Sequence, residues 1–231
     1  MNEHLETTTS ELTFIEHLRE LRSRLLISLL FVLCGTFICY FIAPWIFSLL
    51  NAPYYRSFPE NSIIGTSPAE AIMLRISVSF FGGALLVSPF IFHQLWLFVA
   101  PGLHSSERRL ALPFVILSTA LFVLGVLFCY LVVLPLAMHF FVQQYKELGL
   151  SPQVRMSEHL SLILHLLIAF GLIFEMPVLA IFLAKAKILE YHSMLSWSRH
   201  AIVLIFVVAA ILTPPDVISQ LAMAFPLMGL F

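Results

Sequence analysis

Charged side chains are scarce in this sequence: Asp, Glu, Lys and Arg make up 11% of its 231 residues. A soluble domain of ordinary composition carries about 25% charged residues. Hydrophobic residues instead account for 60% of the chain. This balance excludes an ordinary water-soluble domain and predicts that lipid surrounds most of the protein. The net charge of −1 at pH 7 also argues against a protein that binds nucleic acid electrostatically.

Cysteine and the common catalytic motifs are also scarce or missing. Cys34, Cys39 and Cys129 lie inside apolar runs without a C-x-x-C pair, so we expect small buried side chains and no disulfide framework. Neither H-E-x-x-H nor G-x-S-x-G occurs, so the sequence predicts no enzyme, no metal site and no cofactor. The acidic N-terminus lacks a small-residue cleavage site after a short apolar core, which argues against a removable signal peptide.

Long apolar runs are what the chain does contain. A helix needs about 20 apolar residues to cross a bilayer. The runs predict an all-α, polytopic membrane protein, a single integral membrane domain over residues 1–231 whose last two spans are short. The predicted transmembrane helices cover about residues 25–47, 72–99, 110–133, 160–183, 195–212 and 217–231. Pro89 should kink the second span and Pro135 should close the third.

The segments around the first spans have their own signals. Thr13 and Glu16 fit a capping box, which predicts a short amphipathic helix leading into the membrane. Residues 48–70 form a polar connector that contains Pro53. The Ser79-x-x-x-Gly83 pattern in the second span is a weak signal for close helix packing.

Orientation follows from the distribution of Lys and Arg, which favour cytoplasmic loops. The N-terminus and the second and fourth connectors carry eight of them: Arg19, Arg22, Arg24, Arg108, Arg109, Lys185, Lys187 and Arg199. The other side carries four, at Arg56 and Arg75 in or beside the first connector and at Lys146 and Arg155 in the third. Both termini are therefore predicted to be cytoplasmic.

Three carboxylates have more than one interpretation. Glu175 lies inside an apolar run, where a charge costs on the order of 2.5–3.5 kcal/mol. It either lines a groove used by a partner or is a protonated acid bonded to a neighbouring helix. Glu20 either pairs with Arg24 one turn later or binds a ligand. Glu107 either favours its own helix N-terminus or receives a guanidinium from outside.

Five motifs, in order along nearly the whole chain, resemble one known family. They are His17-Leu18-x-Glu20-Leu21-Arg22-x-Arg24, Trp96-x-Phe98-x-x-Pro101-Gly102-Leu103, Glu107-Arg108-Arg109, Phe174-Glu175-x-Pro177 and Leu212-Thr213-Pro214-Pro215-Asp216-x-x-Ser219-Gln220. Together they resemble TatC, the six-span subunit of the twin-arginine protein translocase.

The resemblance implies a receptor without covalent chemistry in a bacterial-type inner membrane. Such a protein recognises the twin-arginine signal peptide of folded cargo at the cytoplasmic face. It associates with itself and with TatA- and TatB-like single-span proteins, and it uses the proton-motive force. A small proton-coupled transporter that uses Glu175 is the alternative, although the symmetric broken helices typical of transporters are not evident.

The resemblance also implies roles for individual residues. Signal-peptide binding falls to Glu20, Phe98 and Glu107, with Arg22 and Arg24 shaping the first helix. A membrane groove and a surface for partner helices would involve Glu175, Thr213 and Gln220. Asp216 marks the tip between the last two spans, and Pro53 belongs to a cap on the outer side.

Overall fold

The structure is a computed structural model that describes residues 3–58, 63–99, 111–149 and 153–185, with single positions at 203, 206, 220, 221, 224 and 228. The described part is helical, and its one β-type contact is an isolated bridge between Ile64 and Arg155. The helices are α1 (Glu3–Ser57), α2 (Pro68–Leu86), α3 (Ser88–Val99), α4 (Ala111–Phe128), α5 (Leu134–Glu147), α6 (Met156–Ile173) and α7 (Met176–Lys185). A π-helical turn, Cys129–Val133, joins α4 to α5.

Four stretches in this part are long and apolar enough to cross a membrane: Glu16–Ser57, Pro68–Leu86, Leu112–Glu147 and Met156–Phe182. They agree with the first four predicted spans in order and composition. The fifth and sixth predicted spans lie almost wholly outside the described residues, so the count of six stays a prediction.

Helix α1 is longer at both ends than the sequence predicts. It begins at Glu3, so Thr13 lies inside the helix and the amphipathic segment continues directly into the first span. Extending an existing helix costs far less than starting one, which explains why the capping signal does not mark its beginning. At the other end α1 runs to Ser57, so Pro53 lies within the helix and the predicted connector over residues 48–70 starts too early.

Two prolines remain inside α1 because side chains from other helices replace the hydrogen bonds that they remove. A proline has no N–H for the carbonyl four residues earlier. For Pro44 that carbonyl belongs to Tyr40, and Arg75 Nη2 donates to it at 3.1 Å. For Pro53 it belongs to Leu49, and the Tyr130 hydroxyl donates to it at 2.7 Å. Transmembrane helices tolerate proline where neighbours satisfy the freed groups in this way.

The prolines of the second and third spans behave differently. The second span breaks at Val87, between α2 and α3, so the predicted kink near Pro89 is confirmed. The prediction that Pro135 closes the third span is wrong, because the helix continues through Pro135 to Glu147. The π-helical turn just before Pro135 widens the helix, and this relieves the clash between the proline ring and the preceding turn.

The closest helix pair is α1 against α2. A Cβ added to Gly83 would lie 2.3 Å from the backbone nitrogen of Thr36, so the two backbones touch there. Ser79 is fully buried one turn away, and the close packing predicted from the Ser79-x-x-x-Gly83 pattern is confirmed. The main hydrophobic core lies beside this contact and includes Val78, Cys129 and Phe170.

A polar clamp joins the start of α2 to the start of α6. The Glu70 carboxylate accepts hydrogen bonds from the backbone N–H of Thr66, of Ser67 at 3.3 Å and of Ser157 at 2.9 Å. Beside it, Ile64 exchanges two backbone hydrogen bonds of 3.1 Å with the Val154–Met156 strand-like segment. The end of α1 packs against this region through Tyr54 and Phe58.

Candidate functional site

The N-terminal part of α1 meets the C-terminal end of α3 through a chain of polar side chains. Arg24 Nη2 lies 3.3 Å from Glu20 Oε1, one helical turn away. The same guanidinium donates through Nη1 to Gln94 Oε1 at 3.1 Å. Arg24 therefore links the two helices and keeps the Glu20 carboxylate at their junction.

Glu20 remains available to a ligand in this arrangement. Its side chain is 33% exposed, and the pair with Arg24 is a long contact to one oxygen. Within the described part of the chain, the bond from Arg24 reaches Oε1 and leaves the Oε2 atom open. An ionised carboxylate has about four acceptor positions, so an incoming guanidinium could bind without displacing Arg24. The two interpretations of Glu20, a helix pair and a binding group, are thus compatible.

An aromatic contact lies at the same junction. The Phe98 ring stacks on His17, with 4.5 Å between centroids and 21° between planes. Phe98 is half-buried, whereas Trp96 is buried against Phe114 with 4.5 Å between centroids. The Phe98–His17 pair therefore lies one helical turn from Glu20 along α1, while Trp96 belongs to the packing of α3 against α4.

The structure brings together some of the predicted site residues and leaves others apart. Glu20, Arg24 and Phe98 meet at the α1–α3 junction, and Arg22 is exposed on the same turn of α1 as Arg24. Glu107 lies outside the described residues. His17 and Gln94 join the site although no role was predicted for either one. His17 belongs to the first of the five motifs, which was its only signal, and Gln94 lies two residues before the second. The contact of Gln94 with Arg24 spans 70 residues of sequence, so local pattern could not reveal it.

Glu175 lies at the break between α6 and α7. Its side chain is 7% exposed, and its hydrogen-bonding neighbour is the buried hydroxyl of Ser118 on α4. Among the described residues the Oε1 atom has no partner. A buried acceptor without a donor costs about 1–3 kcal/mol. A protein retains such an acceptor where another group can supply the missing hydrogen bond. The interpretation as a groove-lining residue stays a prediction.

The remaining predicted positions are mostly far from this junction or outside the described part. Thr213 and Asp216 lie outside the described residues. Gln220 is described, and its Nε2 donates to the Phe206 carbonyl at 3.2 Å. Pro53 is buried near the opposite end of α1 from Glu20, in the part of α1 that packs where Glu70 joins the starts of α2 and α6.

The architecture and this junction define a multi-pass helical membrane protein with a polar and aromatic site at one end of the bundle. A family model described as "Sec-independent protein translocase protein (TatC)" matches residues 16–226. The chain belongs to the TatC family. The family consists of protein translocase components, so this is a protein of membrane transport and not an enzyme.

Named relatives and solved structures agree with this assignment. The chain is 39% identical over 217 residues to the TatC protein of Aquifex aeolicus, covering 94% of this chain and 90% of that one. It is 41% identical over 219 residues to TatC of Magnetococcus marinus, covering 94% and 80%. A crystal structure titled as the twin arginine translocase receptor TatC is 40% identical, with a TM-score of 0.79 over 93% of this chain and 94% of that one. A second, in the detergent DDM, has a TM-score of 0.82 at 39% identity, covering 93% and 95%.

Proposed function

We propose that this chain is the receptor subunit of a twin-arginine translocase and binds the signal peptides of folded precursor proteins. The observation that carries this proposal is the α1–α3 junction, where Arg24 bonds both Glu20 and Gln94 and where Phe98 stacks on His17, one helical turn before Glu20. A carboxylate next to an aromatic ring suits an arginine, which can form bidentate hydrogen bonds and also stack on a ring.

The pair of arginines in the peptide calls for a second carboxylate, and Glu107 is the residue we propose for it. Glu107 lies just before the third predicted span, after a Pro101-Gly102 turn that follows α3 closely in sequence. One guanidinium would bind Glu20 and the other Glu107, with Arg22 and Arg24 shaping the receiving helix.

The location and the partners belong to the same proposal. The site would lie on the cytoplasmic side of a bacterial-type inner membrane, with both termini on that side, since Lys and Arg concentrate in the corresponding segments. TatA- and TatB-like single-span proteins and further copies of this chain would complete a complex driven by the proton-motive force. Glu175, Thr213 and Gln220 would contact the partner helices, while Pro53 and Asp216 would have structural roles. The alternative, a proton-coupled transporter, receives no support from the comparisons.

Peptide capture by the purified protein tests the signal site. Glu20→Gln and Glu107→Gln should each weaken binding of a labelled Arg-Arg signal peptide about tenfold or more. This is the effect of losing a charge-assisted bond of about 1.5–3 kcal/mol. Glu16→Gln, which removes the same charge one turn from Glu20, should change binding much less.

A Lys-Lys version of the peptide should bind poorly to the unmodified protein, because an ammonium cannot form the bidentate contact. A photo-crosslinker in place of Phe98 should capture the Arg-Arg peptide specifically. Equal capture of the two peptides, or unchanged binding by Glu20→Gln, would contradict the proposed site.

A further inference from the structure

Arg75 occupies an unusual position for a charged residue. The sequence places it beside the first connector, and the structure places it two turns inside α2, with its side chain exposed on the outside of the helix bundle. Charged residues within membrane spans are costly, rare and commonly functional. The surroundings of this guanidinium therefore indicate what it binds.

The guanidinium is held firmly against α1. Its Cζ atom lies 4.2 Å above the centroid of the Tyr40 ring, and Nη2 donates to the Tyr40 carbonyl at 3.1 Å. A guanidinium has five N–H donors, and this contact uses one of them. The others have no acceptor among the hydrogen bonds of the described residues.

Its positive charge has no counter-ion in the described part of the chain. The two ion pairs found there are Arg24 with Glu20 and Arg155 with Glu158, and neither involves Arg75. An arginine with an unpaired charge and free donors, fixed in one place, is suited to a planar or tetrahedral oxyanion.

The depth of the Arg75 guanidinium in the membrane indicates which oxyanion can reach it. Counted at about 1.5 Å per residue from Leu25, Tyr40 lies roughly 22 Å and Trp45 roughly 30 Å along the first span. Because the hydrocarbon core is about 30 Å thick, Trp45 marks its far boundary and the guanidinium beside Tyr40 lies roughly 8 Å inside it. Helix α2 runs antiparallel to α1, because Gly83 lies against Thr36 while Arg75, two turns nearer the start of α2, reaches Tyr40. The first turns of α2 therefore lie on the Trp45 side of the membrane, and local thinning of the bilayer brings headgroup phosphates to an arginine at this depth.

The residues around the guanidinium are apolar and exposed. Ile72 and Ile76 flank Arg75 on α2, and Phe41 and Trp45 follow Tyr40 on α1; all four belong to the exposed large hydrophobic residues. A phospholipid offers both groups that this surface requires, a phosphate for the guanidinium and acyl chains for the apolar residues.

We propose that Arg75 and Tyr40 form a binding site for the phosphate of an anionic phospholipid, in the leaflet on the Trp45 side of the membrane. The Tyr40 carbonyl and ring hold the guanidinium toward α1, and the free N–H donors bind the phosphate oxygens. The site lies at the opposite end of the first span from Glu20, so its test is independent of signal-peptide binding.

The experiment must separate lipid binding from support of α1, because Arg75 also replaces the hydrogen bond that Pro44 removes. Pro44→Ala introduces a backbone N–H that can bond to the Tyr40 carbonyl within the helix. In that background Arg75→Gln removes the charge without leaving the carbonyl unpaired. Equal thermal melting of Pro44→Ala and of the double variant would show that both are folded.

Native mass spectrometry of the purified full chain, titrated with phosphatidylglycerol, gives the readout. The double variant should bind this lipid about tenfold or more weakly than Pro44→Ala, the effect expected for a charge-assisted bond. Arg155→Gln, which removes a paired arginine on the same side, should leave binding unchanged. Zwitterionic phosphatidylethanolamine should bind more weakly, and millimolar inorganic phosphate should not displace the lipid.

Two results would overturn the proposal. If Pro44→Ala and the double variant bind phosphatidylglycerol equally and also self-associate equally, the guanidinium serves only the Tyr40 carbonyl. If lipid binding is unchanged while self-association of the chain falls, a carboxylate of another protein copy is the partner instead.

Discussion

The hydrogen bond between Tyr130 and Leu49 offers a direct test of how Pro53 is accommodated inside α1. Tyr130→Phe removes the hydroxyl that donates to the Leu49 carbonyl at 2.7 Å and keeps the ring, which packs against the main core. The carbonyl then has no donor, because Pro53 lacks an N–H. Interhelical hydrogen bonds in membrane proteins are worth about 0.6 kcal/mol on average and up to about 1.7 kcal/mol. We expect a loss of about 1 kcal/mol in the free energy of unfolding, roughly a fivefold change in the equilibrium constant.

The matched background is Pro53→Ala, which introduces the missing backbone donor. There the Leu49 carbonyl can bond within the helix, so Tyr130→Phe should cost close to nothing. The difference between the two backgrounds is the coupling energy of a double-mutant cycle, about 1 kcal/mol. Reversible unfolding in mixed micelles with SDS, followed by tryptophan fluorescence, would measure it. If Tyr130→Phe destabilises both backgrounds equally, the hydroxyl does not compensate for the proline and the reasoning fails.

Two further changes test the contacts that hold the helices together. Gly83→Ala should lower the free energy of unfolding by about 1–3 kcal/mol or more, because its Cβ would lie 2.3 Å from the Thr36 backbone nitrogen. Gly65→Ala, where the nearest atom lies 3.8 Å away, is the control and should be close to neutral in the same unfolding measurement. Glu70→Gln should cost about 1–3 kcal/mol, because an amide nitrogen cannot accept from the backbone donors that the carboxylate serves. Hydrogen exchange should then accelerate at the amides of Ile64 and Met156. The control Glu158→Gln, which changes an exposed ion pair, should leave the exchange rates unchanged. Unchanged exchange in both variants would contradict the clamp.

Spans and packing signals were predictable from the sequence because they depend on local composition. The length and apolarity of each run decide that a helix can cross a bilayer, and four of the predicted spans have counterparts in the described part of the chain. The close approach at Gly83 was predictable for the same reason, since small residues four apart always share one helix face. The five motifs likewise identified the family, because their residues and order are visible in the chain itself.

The tertiary structure alone decided where the prolines interrupt a helix and where they do not. In sequence, Pro44 and Pro53 look like prolines that end a helix. The carbonyls that they leave without a donor, those of Tyr40 and Leu49, receive hydrogen bonds from residues 35 and 81 positions away. The same holds for the site, where Gln94 reaches Arg24 across 70 residues. The sequence around an unbonded carbonyl or a carboxylate does not reveal which group will donate a hydrogen bond to it. That partner is chosen when the helices pack, because lipid supplies no alternative hydrogen bond.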